Sequence, residues 1–360
     1  MRHLMFLALS LLPAGMLVAQ QPERYTIEGD DVAVYNLAGL LQVEPGQGSV
    51  TVLVTRGGAD AARLKVAQDE IDNRQSLMVI YPADKIRYAL GKGSSRTDLR
   101  VRDDGTFGDT YWSDDPDHGH RHHDGHDGHR VTIATDTDGL DAHADLTVQI
   151  PAGRTVSLHL AVGRVTVTNV SGDLRVDASS SSVSATGFKG SLSVDVGSGT
   201  VEVGQVDGDL FVDTGSGPVK VSQVKGRQLS IDTGSGDVTG TDLQGDEVSI
   251  DTGSGEITLT ALRSARVSLE TGSGRVTADL RDPPRELSVE TGSGDIAIKA
   301  PSSLGAEVEI ETSSGEIETD FPVQVTRQGR DHLTGRIGDG KGTIAIETGS
   351  GMVKLLKIPN

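Results

Sequence analysis

The sequence predicts an all-β protein: a single-stranded β-solenoid or β-helix with coils of about 19 residues and an irregular β-rich cap at its N-terminal end. Three observations carry this. An acidic residue followed by a Gly-Ser corner recurs at Asp195, Asp213, Asp232, Asp251, Glu270, Glu290, Glu311 and Glu347, in steps of 18, 19, 19, 19, 20, 21 and 36 residues. A looser copy, Asp177-Ala-Ser-Ser-Ser-Ser, stands 18 residues before Asp195. Between the corners, apolar and polar residues alternate with the period of a strand, as in Leu229-Ser230-Ile231-Asp232. Finally, the 360 residues hold 46 glycines and only 3% aromatics, so the core must be built from Val, Ile, Leu and Ala. Repeats of this length bury their apolar faces only against their neighbours.

Read in chain order, residues 1–19 form a secretory signal peptide. Arg2 precedes a short apolar run that Pro13 and Gly15 interrupt, and Ala19 is the residue before cleavage. The run is too short and broken to anchor in a bilayer, and no later segment is long enough to cross one. The chain is therefore expected to be exported, whether to the periplasm, the cell surface or the medium, with no transmembrane segment in the mature form.

Residues 20–112 read as irregular N-terminal coils and a cap, with strands at Tyr25–Glu28, Val32–Tyr35, Val50–Val54 and Leu77–Tyr81. Only Ala59 to Ala67 has apolar spacing compatible with a helix. Residues 113–130 form a His-, Asp- and Gly-rich flexible insert, and residues 131–360 form the repeat domain. In each repeat the glycines of the corner are expected to supply positive φ. The Thr column (Thr214, Thr233, Thr252, Thr271, Thr291) has inward parity and should satisfy hydrogen bonds at the corners.

Stacking has a chemical consequence. It lines up Asp195, Asp213, Asp232, Asp251, Glu270, Glu290 and Glu311 as an outward acidic ladder, with Ser193, Ser230, Ser249, Ser268 and Ser288 in a parallel column. Like charges about 5 Å apart in water repel by roughly 1 kcal/mol per pair. The ladder reads either as a site for cations such as Ca²⁺ or other ligands, or as a solvated face that blocks lateral sheet association. The insert carries the other chemical feature, His118, His120, His122, His123, His126 and His129, a ligand set suited to Zn²⁺, Cu²⁺ or Ni²⁺. A flexible segment must lose conformational entropy to close on an ion, which favours a solvated loop instead.

Composition excludes several functions. With 33 Lys+Arg against 52 Asp+Glu, a net charge of −19, the chain should repel nucleic acid and anionic membranes. The absence of cysteine excludes disulfides, thiol catalysis, Cys-type zinc sites, iron–sulfur clusters and a lipid-modified cysteine. Asp-Thr-Gly-Ser is the active-site string of aspartic proteases, but here it is a repeating corner with Glu in the same frame. Gly335 to Gly342 is near a phosphate-binding loop but lacks its hydroxyl, and is read as a glycine-rich hairpin. His143, His159 and His332 are isolated in sequence and read as structural or surface residues. No catalytic residue is assigned.

The repeated strand–Asp-Thr-Gly-Ser-Gly–strand pattern resembles the bacterial putative-adhesin family, a β-strand-repeat domain of unknown function in exported proteins. Leu146-Thr-Val-Gln-Ile-Pro-Ala-Gly and Leu333-Thr-Gly-Arg-Ile-Gly-Asp-Gly match the entry and close of its repeats. The resemblance implies a β-helix-like fold and an envelope or extracellular setting, and it supplies no catalytic residues to carry over. The expected function is a non-enzymatic, adhesin-like interaction scaffold with a protein or glycan partner. The alternatives are a transition-metal-binding envelope protein acting through the insert, and a carbohydrate-active β-helix enzyme.

Overall fold

Alternation within each repeat sorts side chains between the inside and the outside of a parallel sheet. Leu229 and Ile231 are buried, whereas Asp232 between the next pair is exposed. The structure, a computed structural model, describes residues 22–89, 95–108 and 128–358. The expected signal peptide lies outside the described residues, as do His118, His120, His122, His123 and His126 of the insert. Among the described residues every regular element is a strand except a single 3₁₀ turn at Ala61–Arg63. The helical spacing at Ala59–Ala67 therefore comes to one turn, because Lys65–Ile71 pairs antiparallel with Arg74–Ile80 instead. Twenty-three strands share one sheet, and Lys85–Arg87, Arg96–Val101 and His129–Ala134 form a second.

The repeats pair in parallel with like residues opposite one another. Leu192 faces Leu210, Leu229 faces Val248 and Val267 faces Leu287, register steps of 18, 19 and 20 residues. A second side stacks Val183, Val201, Val219, Val238, Ile257 and Val276. A third buried column follows, with Phe188, Val206, Val224 and Leu243. Between the second and third sides the backbone passes through the left-handed region at Gln205, Gln223, Asp242 and Ala261, with φ of 54–59°. Such values are uncommon for residues with a Cβ, so the kink is imposed by stacking on its neighbours. Ser171–Ser198 and Val238–Thr252 continue past this kink, so pairing closes into a ring of six strands. Each repeat adds several fully buried aliphatic side chains, each contributing about 1.5–3 kcal/mol of burial.

The Gly-Ser-Gly corner is made by close packing more than by unusual dihedrals. The second corner glycine has positive φ in Gly199 and Gly217 but not in Gly236, Gly255 or Gly274. A Cβ on any of these three would overlap the carbonyl of the equivalent glycine one repeat earlier. The buried threonines complete the corner. The Thr252 hydroxyl accepts from the Gly255 N–H at 3.0 Å and donates to the Gly236 carbonyl at 3.0 Å. Thr271 repeats both bonds, at 3.0 and 2.9 Å. Each threonine thus satisfies a donor in its own repeat and an acceptor in the one before.

Both ends of the stack are covered by antiparallel strands. At the N-terminal end Glu23–Ile27, Val50–Gly57 and His143–Ile150 form an antiparallel set, and Asp31–Pro45 pairs in parallel with Arg154–Thr168. At the other end the chain does something the spacing does not announce. Gly342–Ser350 lies between Glu286–Thr291 and Ala306–Ser314, and Val353–Lys357 lies between Ile296–Ala300 and Ile317–Thr319. The last repeat is therefore inserted between the two that precede it. His332–Ile337 and Val323–Gln328 pair antiparallel on the outer edge. Gly335 to Gly342 is accordingly not a hairpin: its two flanking strands lie on opposite sides of Ala306–Ser314.

Candidate functional site

The register builds one continuous column of carboxylates. Asp195 faces Asp213, which faces Asp232, then Asp251, Glu270 and Glu290. Glu290 next faces Glu347, and Glu347 faces Glu311, so the inserted last repeat separates Glu290 from Glu311. The order expected from sequence, with Glu311 directly after Glu290, is corrected by that insertion. Asp177 adjoins Asp195 at the other end, where the two repel. Nine carboxylates thus stand in file. Each end meets an imidazole: His159 lies opposite Asp177, and His332 lies opposite Glu311.

What distinguishes this column is that, among the described residues, it makes no cross-repeat ion pair with a lysine or arginine. Elsewhere on the stack, opposite charges meet between repeats, as in Lys220–Glu202 at 3.4 Å, Arg266–Glu247 at 3.0 Å and Lys354–Glu318 at 2.9 Å. Among the described residues no lysine or arginine lies within 4.0 Å of any of the nine carboxylates. The serine column lies alongside with one interruption, since Phe211 stands between Ser193 and Ser230.

Electrostatics change along the file. Asp195 is pushed up to about 6, first by burial and then by Asp177 and Asp213. Asp213 and Asp251 are raised by burial and then by Asp232. Glu270 is raised mainly by the Asp251 charge, with burial and Glu290 adding to it. Asp177, Asp195 and Asp213 are half-buried, whereas Asp232 and the later members are exposed.

The His159 end is the most enclosed. His159 is buried, its side chain 8% exposed, and its ring stacks on Tyr35 at 4.3 Å with an interplanar angle of 8°. Phe107 meets it edge-on at 6.3 Å. Its Nδ1 lies 3.3 Å from an Asp177 carboxylate oxygen, but neither ring nitrogen has a hydrogen bond of proper geometry. The turn at Ile71–Arg74 and Gly108 overhang this end and leave a cleft of about 140 Å³. Sequence reasoning set His159 aside as isolated. The available signal was its place 18 residues before Asp177, on the register of the ladder.

Of the insert histidines, His129 alone lies among the described residues. It begins a strand, with Nε2 3.5 Å from Asp84 and Nδ1 3.7 Å from Asp103. Among the described residues no three His, Asp or Glu side chains converge as a metal site. The Asp-Thr-Gly-Ser strings place each aspartate one repeat from the next, with the threonine turned inward to its corner.

A search among curated proteins returns no match. One similar solved structure, a putative cell adhesion protein from Clostridium sporogenes, is 12% identical. That comparison covers 94% of this chain and 100% of that one, at a TM-score of 0.18, too low to carry an argument. The Toastrack DUF4097 family matches residues 143–356, which span the column from His159 to Glu347 and the inserted last repeat. The chain belongs to the Toastrack DUF4097 family.

Proposed function

We propose that this protein is a non-enzymatic, adhesin-like interaction scaffold of the cell envelope, reached by export through residues 1–19 and built as a β-solenoid with coils of about 19 residues. The carrying observation is the column of nine carboxylates with no lysine or arginine partner among the described residues. Other columns of the stack pair opposite charges between repeats, and this one keeps its repulsion. Such a face attracts a cationic partner surface over a long range and in a repeating register. A protein or glycan presenting basic groups is the partner it fits. The carboxylates stand side by side on one open face, which suits binding along a surface and does not enclose a reacting bond.

The test is a binding screen of the full chain against proteins and glycans of graded charge. It is repeated with Asp232→Asn, Asp251→Asn, Glu270→Gln and Glu290→Gln combined. The scaffold reading expects salt-sensitive binding to basic partners that the combined variant loses. Binding left unchanged by neutralising the column would overturn it. Calorimetric titration of Zn²⁺, Cu²⁺, Ni²⁺ and Ca²⁺ into the full chain, and into one lacking residues 114–127, separates this role from metal binding. Stoichiometric transition-metal uptake lost with the deletion would place the function in the insert.

A further inference from the structure

We propose that the cleft at the His159 end of the column is a binding site for a primary alkylammonium group, supplied by a free diamine or by a lysine side chain of a partner. The cleft is the covered end of the same column and shares Asp177 and Asp195 with it, but it rests on the enclosure there and is tested by residues that the open-face variant leaves intact.

The cleft brings together the acceptors Asp177, Asp195 and Ser193 with the buried His159 ring. Asp177 and Asp195 stand one repeat apart on the long strand Ser171–Ser198, both line the cleft, and the Asp177 charge acts on Asp195. Ser193 lies two residues before Asp195 on the same face. His159 lines the same space, with its side chain more than nine-tenths buried and both ring nitrogens without a hydrogen-bond partner. A buried imidazole in that state costs free energy unless something fills its hydrogen bonds. Asp195 is likewise held at a disadvantage by burial and by carboxylates on both sides.

The neighbouring cations do not relieve this. Arg74, on the overhanging hairpin, is engaged with Asp31 at 3.2 Å. Arg175, on the floor, is exposed, and the fields acting on Asp195 come from carboxylates. Asp72, at the hairpin turn, adds a third negative charge to the rim. The three carboxylates outnumber the two arginines of the lining, which favours a cation over an anion. The absence of a convergent three-ligand group among the described residues disfavours a metal ion.

An ammonium fits this lining. It carries three N–H donors, no acceptor and a full positive charge. It can donate to Asp177, to Asp195 and to either an unprotonated His159 nitrogen or the Ser193 hydroxyl. Its alkyl stem would leave along Ile71, the half-buried apolar residue of the overhanging turn. Charge-assisted bonds to a carboxylate pair shielded from water are among the stronger polar contacts available.

The experiment is a calorimetric and NMR titration of the full chain with 1,5-diaminopentane and with a lysine-containing peptide. The same peptide acetylated at the lysine amine, and Zn²⁺ and Ca²⁺, serve as controls. Saturable binding of either amine, at least tenfold weaker in Asp195→Asn and in Asp177→Asn and unchanged in Glu318→Gln, an exposed carboxylate outside the column, is the expected result. The diamine binding better would identify a free amine as the ligand; the peptide binding better would identify a lysine side chain. Circular dichroism of each variant confirms that a loss of binding is not a loss of fold. Equal weakening by Glu318→Gln would overturn the proposal in favour of diffuse attraction to the acidic surface. Binding of the acetylated peptide as tightly as the free one, tighter binding of Zn²⁺ or Ca²⁺ at the same residues, or no amine binding at all would overturn it too.

Discussion

The two ends of the carboxylate column occupy one repeated backbone position and yet differ in chemistry. At the start are the shorter aspartates Asp177, Asp195 and Asp213, all half-buried, the first two beneath the turn of the N-terminal hairpin. Toward the other end are the longer Glu270, Glu290, Glu347 and Glu311, exposed on an open face. Burial is the leading influence on Asp195, whereas the charge of Asp251 is the leading influence on Glu270. The strand register is the same throughout, so the difference comes from what covers the column and not from the repeat itself. A repeat fixes where a charge stands, and the cap decides what it costs to keep that charge ionised.

Predictions that break or sharpen this contrast begin with the corner both halves share. Gly255→Val places a side chain against the Gly236 carbonyl on a tightly stacked corner, with no room to relax. It should cost more than about 4 kcal/mol, or prevent folding, as read by chemical denaturation. Thr252→Val keeps the shape but removes both hydroxyl bonds, leaving the Gly255 N–H and the Gly236 carbonyl unpaired in the interior. A loss of about 1–3 kcal/mol is expected by the same measurement. The smallest effect separates the two ends. Asp195→Asn should raise stability at neutral pH by about 1 kcal/mol, while Glu290→Gln changes it by less than about 0.5 kcal/mol.

Much of this fold is legible in the chain. The spacing of the acidic residues gives the strand register, and alternation gives the inward Leu, Val and Ile columns. The parity of Thr252 and Thr271 anticipates their role at the corner. The insertion of the last repeat is not legible, because parallel strands with the same pattern fit against any neighbour of the stack. The 36-residue step from Glu311 to Glu347 looks like one skipped repeat. In fact the chain spends those residues on an antiparallel edge pair and then returns inside it. The role of the corner glycines is only half legible. Their recurrence is evident, but the packing of one backbone on the next, which requires them at Gly236 and Gly255, depends on the stack. The His159 cleft is hidden because the overhanging turn at Ile71–Arg74 is distant in sequence, and because His159 and Tyr35 replace the acidic residue at the start of the column.

The most direct test of the account is the pH dependence of stability of the full chain beside Asp195→Asn and Glu290→Gln. The folded Asp195 carboxyl titrates near 6, above its ordinary value of 3.8, so between those values the folded state holds a proton that the unfolded state has released. Stability should therefore fall as pH rises from about 4 to 6 and level off above that. Carboxylates held low lose their contribution below this window, as does Asp98, which the Arg96 and Thr132 side chains hold down to about 2. The account predicts that Asp195→Asn flattens the fall and that Glu290→Gln leaves it nearly intact. Stability that rises with pH across the window, or a fall that survives in full in Asp195→Asn, would contradict it.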